Sequence, residues 1–304
     1  MPLSRDGRYF SPALSSMPNQ ERVPQVSPLR PGIQSPPRRI ASLQPSITLT
    51  LQRLGRLDDL VACTRYCVEA LPELAHRNLK IIADSWSSPM EELLAIEPTL
   101  VIASVPYRME SLAAILRAGC PVLTLAPHTL ADIFADIRLI GSVVHASDRA
   151  EALVVELTAA IDAVRVPSAT ADRPRVYCEE WGKPLIHSQP WVKELVEAAG
   201  GEFVGDAGKT TSAETVAAID PDVLIFAWCG AGDRVPLARV IEQRGWQSLR
   251  SVANGRVYCI PDEFLNTPAH PILEGLACLA AAIDPNRFPP HPRLISLAHS
   301  QKQS

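Results

Sequence analysis

The chain has 304 residues, 47% apolar and 20% charged, with a formal net charge of −4 at pH 7. That length allows two domains of ordinary size with real cores, and the slight acidity argues against a nucleic-acid or anionic-membrane surface. The seven cysteines (63, 67, 120, 178, 229, 259 and 278) are odd in number and lack CxxC or zinc-finger spacing. This argues against a disulfide framework and assigns most of them to buried apolar positions.

Residues 1–37 are rich in Pro and Ser without hydrophobic periodicity, and read as disordered. They contain no apolar stretch of roughly 7–15 residues after a basic start, as a secretory signal requires. With Met1 as the true start, the expectation is a cytoplasmic chain. No apolar run approaches the roughly 18 residues of a membrane span.

The ordered part opens with RRIASLQPSITLTLQRLG, which predicts a strand over 39–43, a loop at 44–45 and a helix closed by Gly55. LVACTRYC predicts a second strand ending at Tyr66 and Cys67. SSPMEELLAIEPTLVIA (87–103) then predicts a loop, a short helix and a strand. Ser88 can cap the helix with Glu91 three residues on. Pro89 suits the first helical position, Pro98 ends the helix, and the apolar run 100–103 suits a strand buried on both faces. Next come a helix RMESLAAILRAG and a strand PVLTLA.

Two helical stretches follow His128, the second capped by Ser147 or by Asp148, the latter at capping-box distance from Glu151. A Pro-punctuated break, VPSATADRP, ends it, and RPRVYCEEWGKP restarts the alternation. After a helix WVKELVEAAGG, the loop, helix and strand unit returns as TSAETVAAIDPDVLIF (211–226). Thr211 takes the cap position there. Glu214, Ile219, Asp220 and Pro221 match Glu91, Ile96, Glu97 and Pro98 at one offset of 123 residues. A helix around RVIEQRGWQSL, the strand GRVYCI and a last helix PILEGLACLAAAI complete the copy.

The fold class is therefore α/β, with two related lobes built on mostly parallel sheets and joined by one helix. The boundaries are a disordered segment 1–37, a first lobe 38–146, a linking helix 147–166, a second lobe 173–285 and a tail 286–304. A ligand cleft is expected between the lobes, at the C-terminal strand ends.

The loops that would line it are aromatic in a chain with only 5% aromatic residues. The first lobe offers Tyr66, Trp86 and Tyr107; the second offers Trp181, Trp191, Trp228 and Phe264. Burial in the core is the competing explanation for any one of them. As a set they suit a large, flat, partly apolar ligand, because the core strands are aliphatic.

His187, in the loop LIHSQPW, joins the candidates, and His187 or Cys67 could ligate cobalt or iron. A preformed metal site needs three or four ligands, and His76, His128, His145 and His270 share no spacing that supplies them, so no metal site is assigned. Glu179–Glu180 and Asp262–Glu263 are paired acids of the kind used in general acid–base catalysis. No GxSxG, HExxH or Gly-rich phosphate loop accompanies them, and charged cleft rims are the simpler explanation. The chain is not expected to be an enzyme.

RIASLQPSITLTLQRLG, TRYC, EELLAIEPTLVIA, GCPVLTLAP, EEW followed by WVKELVEAAGG, ETVAAIDPDVLIF and GRVYCI occur in one order from about Arg38 to Pro285. In this the chain resembles the class III periplasmic substrate-binding proteins of ABC importers for vitamin B12 and ferric siderophores, most of all the cobalamin-binding branch. The resemblance implies two lobes on a rigid linking helix, and a monomer with no cofactor of its own that captures a cobalt corrinoid. It implies ligand contacts from Tyr66, Trp86 and, more loosely, Trp191. It also implies that Glu91 and Glu214 dock with the importer's membrane subunits, and a periplasmic or cell-surface location. A ferric siderophore or haem ligand, or a cytosolic corrinoid carrier without a transporter, is compatible with the same fold.

Overall fold

The computed structural model describes residues 38–85, 90–105, 108–165 and 173–300. In the first lobe, β1 (Ile40–Ser42) leads through Gln44 into α1 (Pro45–Arg53), where Pro45 takes the first helical position. Next are β2 (Leu60–Thr64), α2 (Arg65–Ala70), β3 (Lys80–Ile82), α3 (Met90–Leu94), β4 (Leu100–Ser104), α4 (Met109–Arg117) and β5 (Val122–Leu125). The five strands form one sheet in the order β3-β2-β1-β4-β5, with every pairing parallel. The central strands are buried throughout, as their unbroken apolar runs require. The strand expected to end at Tyr66 and Cys67 stops at Thr64, and both residues lie in the first turn of α2.

Two antiparallel helices follow, α5 (Leu130–Val143) and α6 (Ser147–Val164). Thr129 and Asp132 close a reciprocal capping box on α5, at 3.1 and 2.9 Å. Ser147 is the first helical residue of α6 and not its cap; Ala146 stands there without a side-chain bond. Glu151 pairs with Arg138 of α5 through two contacts, at 2.7 and 3.0 Å. No helix of the described residues is long and apolar enough to cross a membrane.

The second lobe comprises β6 (Arg175–Gly182), β7 (Leu185–His187), α7 (Pro190–Ala198), β8 (Glu202–Phe203), β9 (Thr210–Thr211), α8 (Ala213–Ile219) and β10 (Val223–Phe226). It continues with α9 (Leu237–Gln243), α10 (Arg250–Ala253), β11 (Val257–Cys259), α11 (Asp262–Leu265), α12 (Ile272–Ile283) and β12 (Ile295–Ser296). Its sheet runs β12-β11-β10-β6-β7-β9, with β8 also on β6. The central pairings of β6, β10 and β11 are parallel, while β7, β9 and β12 add antiparallel edges. Within the tail, β12 extends the sheet.

Over the described residues, the repeated unit runs in the same order in both lobes, helix then strand. α3 and α8 are short helices, and each is followed by a left-handed acidic residue before a proline, Glu97 at φ 50° and Asp220 at φ 49°. An arginine at the start of each lobe's first strand donates to the helix's carbonyl end. Arg39 Nη2 reaches Ile96 O and Arg175 Nη2 reaches Ile219 O, both at 2.5 Å. One hydrophobic cluster takes in Ile40 and Ile102 of the first sheet, Leu157 of α6, Val176 and Ile225 of the second sheet, and Leu276 of α12. The two lobes share this core.

Candidate ligand-binding site

Because the central strands are parallel, their C-terminal ends gather along one edge of each sheet. In the first lobe Gln44 ties this edge together. Its amide donates to Ser85 Oγ at 3.0 Å and accepts from the Ser104 N–H at 3.4 Å, linking the ends of β1, β3 and β4. Tyr66, just past β2, is partly buried. Arg65 donates to its hydroxyl at 2.7 Å and stacks on its ring at 4.7 Å. Trp86 and Tyr107 lie outside the described residues.

In the second lobe three strand ends are stitched by hydrogen bonds. The Cys229 N–H donates to Glu180 O at 3.0 Å, joining the exits of β6 and β10. Asp262 accepts from the N–H groups of Gly230 and Gly232, each at 2.8 Å, which fastens the loop after β10 to α11. This brings Trp228 and Phe264 onto the same set of loops. Trp181, at the end of β6, is 43% exposed with its N–H satisfied by Lys183 O at 2.9 Å. Phe264 is partly buried and lies under the Arg293 guanidinium at 5.3 Å, which also pairs with Glu263 at 3.1 Å.

Other candidates turn inward. The chain reverses at Lys183–Pro184, so 185–187 is a strand antiparallel to β6 rather than a cleft loop. His187 ends it only 3% exposed, packed against Tyr177 at 5.2 Å and Phe203 at 6.2 Å. Burial holds its pKa below the usual histidine range, with Asp206 pulling weakly the other way. Trp191 sits in the first turn of α7 at 5% exposure, its N–H donating to Leu265 O at 2.8 Å. Cys67 is buried, its thiol against Thr64 Oγ1 at 3.3 Å. Among the described residues no cluster of three or more His, Cys, Asp or Glu could hold a metal ion.

The paired acids of β6 separate as alternate strand positions dictate. Glu179, expected on a charged rim, is fully buried and forms a two-pronged ion pair with Arg244, both contacts at 2.8 Å. Tyr177 donates to the same carboxylate, and burial next to this charge pushes the tyrosine pKa far up. Trp228 Nε1 donates to Glu179 Oε1 at 2.7 Å. Nothing local in the sequence marked Arg244, 65 residues away. Glu180 is partly buried; burial raises its carboxyl to about 7, against the lowering effect of the Gln189 hydrogen bond at 2.6 Å.

Glu91 and Glu214 are both exposed, each the second residue of its helix. The expected cap at Thr211 moves by one: Ser212 is the cap and accepts from the Thr215 N–H at 3.2 Å. Interaction with Ser212 lowers the Glu214 carboxyl below its usual range. Ser88 lies outside the described residues.

The described residues thus form one all-parallel sheet and one mixed sheet sharing a core, with aromatic side chains at the strand exits. The family described as periplasmic binding protein matches residues 40–264, and this chain belongs to it. A "Cobalamin-binding protein" of Halobacterium salinarum is 25% identical over 260 residues, covering 82% of this chain and 70% of that one. An "Uncharacterized ABC transporter substrate-binding lipoprotein YvrC" of Bacillus subtilis is 22% identical over 273 residues, covering 84% and 83%. Among solved structures, a periplasmic haem-binding protein from Pseudomonas aeruginosa shares the fold at a TM-score of 0.72. It is 22% identical, covering 86% of this chain and 98% of its own.

Proposed function

We propose that this chain captures a corrinoid between the strand-end loops of its two lobes and hands it to an ABC importer. The observation that carries the reading is the second lobe's rim. Trp181 near the end of β6, Trp228 just past β10 and Phe264 in α11 stand on segments tied together by Asp262 and by the Glu180–Cys229 backbone bond. Flat aromatic surfaces held in place suit a rigid macrocycle. A corrinoid brings its own cobalt chelate, so it needs no metal site from the protein. The relative named for cobalamin supports the same choice. Tyr66 faces the ligand from the first lobe, with Trp86 and Tyr107 on the neighbouring strand exits expected from the sequence. Glu91 and Glu214 present one carboxylate per lobe to a two-fold partner, where arginines would make charge-assisted contacts.

Haem is the second reading, favoured by one feature: Tyr66 bears a guanidinium at its hydroxyl, and a tyrosine oxygen is a known axial ligand of haem iron. Gel filtration with cyanocobalamin or haemin in excess separates the two. The corrinoid reading expects the cobalamin spectrum to travel with the protein. A chain that retains haemin alone, and loses it on Tyr66→Phe, establishes haem instead.

A further inference from the structure

The Glu179–Arg244 pair invites the question of why a charge is kept inside the second lobe. A buried ion pair contributes little stability beyond that of apolar side chains of similar volume, so stability alone does not account for it. Its geometry gives another use. The Glu179 carboxylate takes both prongs of Arg244 and the tyrosine hydroxyl, and also receives the indole N–H of Trp228 at 2.7 Å. The ring of Trp228 is confined on further sides. Arg244 lies 5.8 Å from its centre, and Phe226 meets it edge to face at 6.3 Å and 89°. Gly182 lies so close that an added Cβ would come within 2.4 Å of Trp228 Cζ2. Arg244 is itself fixed on Trp246 at 4.8 Å. The partly exposed indole is therefore held by its polar end from inside the core.

We propose that Glu179 and Arg244 are positioning residues for Trp228, and that the fixed orientation of this ring, prepared before the ligand arrives, sets ligand affinity. The assignment rests on the binding reading above only in that Trp228 touches the ligand. A ring held in its bound orientation loses little side-chain freedom on binding. Gly182 is part of the device, since its missing side chain makes room for the ring.

Two readouts test it. The first is ligand-free: the indole N–H resonance of Trp228, identified by its loss in Trp228→Phe. Glu179→Gln and Arg244→Lys should shift it and speed its exchange with solvent, while an unmoved resonance overturns the proposal. The second is a cycle of cyanocobalamin affinities across wild type, Glu179→Gln, Trp228→Phe and the double variant. Glu179→Gln should weaken binding roughly ten- to a hundredfold, the scale of one hydrogen bond to a charged group, and should have little further effect once Trp228 is Phe. Equal losses in both backgrounds would show a general structural effect and overturn the proposal.

Gly182→Ala replaces neither member of the ion pair, and its added Cβ meets the Trp228 ring first; the Gly182 carbonyl, which accepts from Arg244 Nη2 at 3.4 Å, is kept. The variant should weaken binding without lowering the melting temperature comparably, and unchanged affinity would contradict the proposal even if Glu179→Gln fails to fold. If wild-type protein takes up neither cyanocobalamin nor haemin, the binding reading falls together with the affinity half of this one. The indole resonance still decides whether the pair holds the ring.

Discussion

Gly205 shows how one residue can fix a buried neighbour. Its φ of +94° lies in the region disfavoured for L-residues, and an added Cβ would stand 2.2 Å from His187 Cε1. That ring is packed between Tyr177 and Phe203 and has no room to retreat. Gly205→Ala should therefore destabilise the fold by about 2–5 kcal/mol, read as a lower urea midpoint. His270 gives a pH signature. Burial and the nearby Arg53 lower its pKa to about 4, with Glu156 opposing. Between pH 4 and the ordinary histidine value of about 6.5 the unfolded chain holds a proton that the folded chain does not, so stability rises with pH there. In a urea series from pH 4 to 7, His270→Gln should flatten that slope by up to about one proton per molecule. An unchanged slope would mean His270 titrates normally in the folded chain.

At the scale of elements, the repeated helix-to-strand unit is the part most legible in the sequence. Pro98 and Pro221 disfavour the right-handed helical region at the preceding residue, and Glu97 and Asp220 are both left-handed there. The two should answer differently to Gly. Glu97 is exposed, so Glu97→Gly should relieve the left-handed cost and gain about 0.5–1 kcal/mol after the entropy of glycine. Asp220 accepts from Arg250 N at 2.9 Å and Nε at 3.1 Å, so Asp220→Gly should lose stability. Thermal melts of the two variants decide this.

What the sequence did not reveal depends on distant partners. The return of 185–187 against β6 is a matter of register with Trp181 and Gly182, and β12 is two residues that become a strand only beside Tyr258 and Cys259. The same division holds for the site. Strand exits were readable from apolar runs and turns, which placed Trp181, Trp228 and Phe264. Trp191 donates its indole N–H to Leu265 O and His187 packs against Phe203, partners that no local pattern announces.

The molecule joins two lobes, one on a five-stranded and one on a seven-stranded sheet, through a shared core, and the proposed docking takes one glutamate from each. If Glu91 and Glu214 engage one arginine each on a two-fold importer, Glu→Gln at both sites should abolish pull-down of the membrane subunits. Either change alone should weaken it, with ligand affinity intact in all three. Docking that survives the double change leaves these glutamates only helix-end residues. Ligand capture itself is tested most directly by calorimetric titration of the purified chain with cyanocobalamin, wild type beside Trp228→Ala. The account predicts one ligand per chain, with an affinity that falls by roughly 1–3 kcal/mol in the variant while its melting temperature holds. Absence of heat in the wild type, or an affinity indifferent to Trp228, would contradict it.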